Sequence, residues 1–223
     1  MNQEKLIKFL TSAILNTNVH HPVRVVIDGV DASGKTTLAD SLADYLKSEN
    51  MNIIRASIDN FHNPKSIRYQ KGRNSPEGYY RNSFNNQAVI DNLLVPLGKN
   101  GNLKYTRAVF DFKTDKEIPL SVETAKKDSI LIMDGVFLLR PELVDYWDLK
   151  LFLEASFKNT VKRAVKRDGY YLGSEQEILE KYNQRYVPGQ RLYFKKAKPK
   201  KKADIIVDNS DFENPVIISP IKT

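Results

Sequence analysis

Five short apolar runs punctuate the chain, each rich in β-branched residues and each closing on an acidic or polar position: VRVVID, NIIRASID, SILIMD, LKLFLE and ADIIVDN. Runs that are apolar throughout, without alternation, predict strands buried on both faces. The segments between them carry helical spacing, clearest where Leu38, Leu42, Tyr45 and Leu46 fall on one face. Such strands alternating with helices predict an α/β fold built on a parallel sheet with helices on both sides. Ligands of open α/β sheets bind beyond the carboxyl ends of the strands, where Asp28, Asp59 and Asp134 are expected. At the start of the chain, LIKFLTSAIL sets Lys8, Thr11 and Ser12 among its apolar residues and lacks a small-residue cleavage site. It reads as an amphipathic helix and not as a signal peptide.

Two stretches break the rhythm. Residues 61–127 are polar and rich in Tyr, Arg and Asn, with helical spacing near 89–94, a GKNG turn and strand-like residues at 105–112. They are expected to form an insertion that carries the acceptor pocket. Residues 168–202 are polar and basic, and are expected to form a mobile cover, or lid. With no internal repeat and no long low-complexity linker, one domain over residues 1–223 is expected.

The densest chemical signal is GVDASGKTT, directly after the first run and directly before a helix, in which Gly29, Gly34, Lys35 and Thr36 satisfy G-x-x-x-x-G-K-S/T. Glycines let the backbone curl until its N–H groups face inward, and the helix N-terminus adds partial positive charge. The expected phosphate contacts are therefore Gly29, Val30, Asp31, Ala32, Ser33, Gly34, Lys35, Thr36 and Thr37. Lys35 would bridge the phosphates, and the Thr36 hydroxyl would ligate Mg²⁺. The loop alone does not decide whether the phosphate passes to water or to an organic hydroxyl.

The acids bear on that choice. Asp134 ends its strand as a metal-holding acid would, although a strand-end carboxylate can also cap the turn at Gly135. Asp59 ends the second run and could take the proton of an attacking hydroxyl, hold the metal, or simply cap a turn. Arg163 and Arg167 lie four apart in NTVKRAVKRD and share one helix face. They would reach the phosphates when the cover closes, or else form a solvated basic face. Arg185 and Arg191 are further candidates whose direction nothing local fixes.

These stretches together, IDGVDASGKTTLADSLA, SIDNFH, ILIMDGVFLL, DLKLFLEASFKNTVKRAVKRD and ADIIVDN, resemble the uridine kinase branch of the phosphoribulokinase and uridine kinase family of P-loop kinases, over about residues 23–209. The resemblance implies a P-loop fold with a five-stranded parallel sheet flanked by helices, a substrate-binding insertion and a lid. It further implies ATP as donor, Mg²⁺ on Thr36 and Asp134, Asp59 as the acid that activates a nucleoside 5′-hydroxyl, and Arg163 and Arg167 on the lid-bearing helix. The chain departs from the family on the acceptor side. Where uridine kinases usually carry Y-D-H-P to hold the ribose, GYYRNSFNN places Tyr80 and Arg81; where a Tyr and a His read the pyrimidine, VFDFKTD places Phe110 and Asp115. His62, Arg68, Arg73 and Tyr79 are candidates for a different acceptor pocket around those two.

Composition then narrows the class. The 223 residues, 41% hydrophobic and 28% charged, suffice for a full core without staples. The chain has no cysteine, which excludes disulfides, zinc–thiolate sites and a thiol nucleophile, and suits a reducing cytosol. No stretch approaches the length of a membrane span. Net charge is +8, but the run KKAKPKKK at 195–202 carries six lysines and no acid, so much of the excess is local. A solvated loop is the first reading of that run, phosphate steering the second and nucleic-acid binding the third. The leading expectation is transfer of the γ-phosphate of ATP to a nucleoside, uridine or cytidine first. The alternatives are a kinase of another hydroxyl metabolite, such as a vitamin riboside or sugar phosphate, and a nucleotide-dependent switch protein. The lack of an N-K-x-D motif counts against a GTPase. Members of the family are often homo-oligomers.

Overall fold

The computed structural model describes residues 1–168 and 174–219. Six strands form the central sheet: β1 (Val23–Gly29), β2 (Ile53–Ser57), β3 (Ile130–Gly135), β4 (Leu149–Glu154), β5 (Ile205–Asp208) and β6 (Val216–Ser219). Their spatial order is β6-β5-β4-β1-β3-β2. The first five coincide with the five apolar runs and pair in parallel. β6 is an addition: it runs antiparallel to β5 with a register shift and leaves Val216 and Ile218 half exposed. A four-residue edge strand carries too little pattern to be distinguished from a loop by its sequence.

β1 lies between β3 and β4, and its Val25, Val26 and Ile27 have no solvent exposure. The pleat sends Val25 and Ile27 to one face and Val26 to the other. On the first face pack α1 (Gln3–Leu15) and α2 (Lys35–Ser48), which bury Leu6, Leu10, Ile14, Leu38, Leu42 and Leu46. α1 is therefore part of the core, as its amphipathic spacing predicts, and Asn2 caps it by accepting from Lys5 N at 3.0 Å.

The opposite face is covered by the insertion and by the chain after β4. The insertion contains α3 (Pro76–Asn82), capped by Ser75, which accepts from Gly78 N. The helix expected near 89–94 is a short α-turn, Asn86–Val89, that widens into a π-type turn over Ile90–Leu94. Two strand pairs of two residues each complete it, Lys104–Tyr105 with Glu123–Thr124 and Phe110–Asp111 with Lys116–Glu117. After β4 come α4 (Phe157–Asp168), α5 (Glu175–Lys181) and α6 (Val187–Ala197). The stretch expected as a cover is helical where it is described. Its α6 is anchored deeply, since Tyr193 is 2% exposed and packs on Phe137 and Tyr80. The lysine run closes α6 and forms the short helix Pro199–Lys202, with Lys200 paired to Glu154.

Candidate active site

The loop between β1 and α2 can take its shape only with small residues at two points. A Cβ on Gly29 would lie 2.4 Å from the Leu153 carbonyl oxygen, and Gly34 has φ +95° with the Phe212 ring and Asn209 amide pressed against it. Ala32 is also left-handed, at φ 55°. Asn209 supports the loop from β5 by donating to Ser33 O at 2.8 Å. Gly34 provides no side-chain cap for α2, so the first N–H groups of that helix remain available to an anion. Lys35 folds back over the loop and donates from Nζ to Val30 O at 2.6 Å. Burial pushes its amine pKa down, against the opposing pull of Asp31, Asp134, Asp28 and Asp59.

Asp28 lies behind the loop, where it accepts from Gly29 N (2.6 Å), Leu139 N (2.9 Å) and the Tyr193 hydroxyl. Burial raises its carboxyl to about 6 despite these donors. It is a buried anchor of the loop and does not line either cavity described below. Asp31 joins the loop to two other elements: its Oδ2 accepts from Tyr79 Oη of α3 at 2.7 Å and from Gln190 Nε2 of α6 at 2.6 Å.

The β-sheet register sets Asp134 beside Ser57, at the same end of the sheet as the turn that carries Asp59. Thr36 donates from Oγ1 to Asp134 Oδ2 at 2.6 Å. Arg55 Nη2 stands 2.8 Å from Oδ1, an ion pair that lacks hydrogen-bond alignment, so Oδ1 is a buried acceptor with no aligned donor. The Thr36 hydroxyl and the two oxygens of Asp134, one of them without an aligned donor, form a hard-oxygen donor set that fits Mg²⁺. Among the described residues no group of three or more His, Cys, Asp or Glu side chains forms a metal cluster. A cation here would complete its shell with phosphate oxygens and water.

A cavity of about 700 Å³ opens onto this group. Lys35, Thr36, Asp59 and Asp134 line it, and so do Lys113 and the aromatic residues Tyr79, Phe84, Phe112, Tyr182 and Tyr186. His62 also lines it, between Phe84 (centroids 4.5 Å apart) and Phe112 (5.3 Å). Its Nδ1 lies 2.8 Å from the Asp59 carbonyl oxygen, which can only accept, so Nδ1 carries the proton. Burial depresses the imidazole pKa to about 4, and the ring is neutral at pH 7.

A second cavity, about 380 Å³, lies against the same loop. It is bounded by Gly34, Thr37, Leu38 and Ser41, by Asn209 and Phe212 after β5, and by Gln3, Glu4 and Ile7 of α1. The Arg163 guanidinium sits 3.7 Å from the centroid of Phe212 and donates to the carbonyls of Asn209 (3.1 Å) and Ser210 (2.6 Å). The loop thus separates two cavities, one reached by Lys35 and Thr36 and the other by Gly34 and Thr37.

Of the residues expected at the acceptor, His62 and Tyr79 are brought to the cavity that holds Asp59. Arg68, Arg73, Phe110 and Asp115 are not among its lining residues. Arg68 and Asp115 satisfy each other at 2.7 Å, tying residues 65–68 to the hairpin, and Asp115 also accepts from Lys65 N. Phe110 is 4% exposed within the hairpin strand Phe110–Asp111, and Arg73 is exposed beside Tyr69. Arg163 faces the second cavity's Phe212, and the side chain of Arg167 falls outside the described residues. Arg185 is buried and donates to the Arg73 carbonyl at 2.8 Å, which makes it a clamp on the insertion; Arg191 lies over Phe157. Sequence reasoning missed Gln3, Glu4, Arg55, Gln190 and Phe212. No local motif marks any of them, because each joins the site through a partner distant in sequence.

The family model for the Phosphoribulokinase / Uridine kinase family matches residues 25–213. A uridine kinase of Ligilactobacillus salivarius is 25% identical over 205 residues, covering 91% of this chain and 92% of its own. Among solved structures, a possible uridine kinase from Bacillus stearothermophilus superposes with TM-score 0.73 at 24% identity, covering 91% of this chain and 97% of its own. A D-glycerate 3-kinase from Cryptococcus neoformans superposes at 0.65 with 13% identity, covering 96% and 99%. The two structures share the fold with this chain.

Proposed function

Because the chain belongs to the phosphoribulokinase and uridine kinase family, and is a nucleotide-using phosphotransferase that acts on an alcohol group, we propose that it transfers the γ-phosphate of ATP to the 5′-hydroxyl of a nucleoside, uridine or cytidine first. The observation that carries this reading is the placement of Asp59 in one aromatic-lined cavity with Lys35, Thr36 and Asp134. Stacked rings suit a nucleobase, and a carboxylate beside the phosphate loop suits a hydroxyl that must lose its proton.

In the proposed reaction the N–H groups of the loop and of the first turn of α2 hold the phosphates. Lys35 leaves the Val30 carbonyl for the β,γ-bridge. Asp59 takes the proton of the acceptor hydroxyl as its oxygen bonds to the γ-phosphorus, and the bond to the β,γ-bridging oxygen breaks to leave ADP. Mg²⁺ held by Thr36 and Asp134 would supply charge neutralisation on those oxygens. Positioning and electrostatics provide most of the rate. The second cavity, with Phe212 on Arg163, takes the base of the donor in this reading. The test is ADP release with Mg-ATP against a panel of nucleosides and other hydroxyl metabolites, beside a no-acceptor control and Asp59→Asn. Stimulation by uridine or cytidine that Asp59→Asn abolishes is the expected result; no stimulation by any nucleoside rejects the substrate.

A second reading keeps the chemistry and changes the acceptor to an acidic or phosphorylated metabolite. Lys113 favours it, since it is a cation on the acceptor cavity while Phe110 and Asp115 are engaged elsewhere. The same panel separates the two.

A further inference from the structure

Arg55 belongs neither to the phosphate loop nor to the lining of either cavity. It lies in the middle of β2, where the pleat turns Ile53, Arg55 and Ser57 away from the face that buries Ile54 and Ala56. On that side runs α2, whose Thr36 and Asp40 are four residues apart and share one helix face. The guanidinium spans both. Its Nε donates to Asp40 Oδ1 at 2.8 Å, its Nη2 stands 2.8 Å from Asp134 Oδ1, and its Nη1 donates to the carbonyl of Ala56.

The two carboxylates differ sharply in setting: the Asp134 side chain is 3% exposed and that of Asp40 is 57% exposed. A buried carboxylate without a counter-charge is costly, so Asp134 needs a cation beside it when no metal is bound. Thr36 donates to Oδ2, which leaves Oδ1, the oxygen without an aligned donor, as the freer one for a metal ion, and Arg55 stands against that same oxygen. Two cations cannot share one carboxylate oxygen without repulsion. Asp40 offers the guanidinium a second, solvated acid within reach.

We propose that Arg55 is the counter-charge that positions Asp134 before the metal–nucleotide arrives, that it competes with the divalent cation for Oδ1, and that Asp40 draws it aside when the cation binds. This rests on the reading of Thr36 and Asp134 as the metal-holding group. Arg55 then sets the metal concentration at which the site fills.

The test titrates Mn²⁺ into the full-length protein with saturating ADP and follows the free-ion electron paramagnetic resonance signal. Arg55→Gln should tighten Mn²⁺ binding about tenfold, the scale of removing a like charge at ion-pair distance in a partly screened site. Arg55→Lys, which keeps a cation, should stay nearer the parent. Asp40→Asn, at a position 57% exposed, should weaken binding a few-fold, because the guanidinium then rests on Asp134 alone. A purely structural Arg55 would lower the melting temperature of Arg55→Gln without tightening Mn²⁺. Unchanged or weaker binding in Arg55→Gln overturns the proposal, and if that variant does not fold, unchanged binding in Asp40→Asn overturns it. A parent protein that binds no Mn²⁺ with ADP would remove the metal reading and this inference together.

Discussion

Gly135→Ala is expected to disable the proposed base without touching it. Gly135 follows Asp134 at the end of β3, and a Cβ there would sit 2.3 Å from Ile58 Cγ2 and 2.7 Å from Ile58 Cβ. Ordinary contact begins at 3.4 Å, so Ile58 must retreat by about 1 Å. It cannot do so freely, being 2% exposed within the core cluster that holds Phe61 and Met133. Overpacking of this kind costs about 1–3 kcal/mol of stability. The next residue is Asp59, in the 3₁₀ turn that Ile58 opens, so the displacement passes directly to the carboxylate. An error of about 1 Å in a reacting group lowers the rate about a hundredfold. Urea denaturation gives the stability, and steady-state ADP release with the acceptor found by the panel gives kcat. A kcat within about twofold of the parent, in a variant shown to be destabilised, would refute the coupling between Ile58 and Asp59.

Three further outcomes follow from the same geometry. The Asp28 carboxyl, near 6 when folded against an ordinary 3.8, keeps its proton in the folded protein over a range where the unfolded chain has lost it. Its contribution to stability therefore falls by about 3 kcal/mol as pH rises from about 4 to 6 and stays low above; comparing urea midpoints of the parent and Asp28→Asn across that range isolates it. His62, depressed to about 4, has the opposite sign: its contribution is present above about 6.5 and is lost as pH falls towards 4. Its ring protons in an NMR titration should show no inflection between pH 5 and 8. Phe212→Ala removes the ring 3.7 Å from Arg163 and should weaken ATP binding about two- to fivefold by calorimetry, the worth of an exposed cation–π contact. Unchanged affinity would place the donor base elsewhere.

The parts of this protein legible in the sequence are those whose cause is local. β1 and β3 are nearly continuous apolar runs because both of their faces are buried, and the left-handed φ of Gly34 is a need of the loop's own backbone. Asp59 and Asp134 reach one cavity, as expected, because strand ends in such sheets converge on one crevice. The acceptor side was legible only in part. His62 and Tyr79 reach the cavity, whereas Arg68 and Asp115, each plausible alone as a ligand, neutralise one another across the insertion. Nothing in either local sequence announces the other.

What tertiary structure alone decided are the closures between distant segments. Asp31 meets Tyr79 across 48 positions and Gln190 across 159, and so binds the phosphate loop to both the insertion and α6. α1 meets Phe212 across 209 positions and makes the N-terminal helix a wall of the second cavity. Arg55, an apparent interruption of an apolar strand, becomes the partner of Asp134 only when β2 and β3 align in register. Hydrophobic pattern and glycine placement determine which segments become strands, helices and loops. Which polar side chains then share a site is decided by the packing of two layers on one sheet, which brings together residues that have no influence on each other's local conformation.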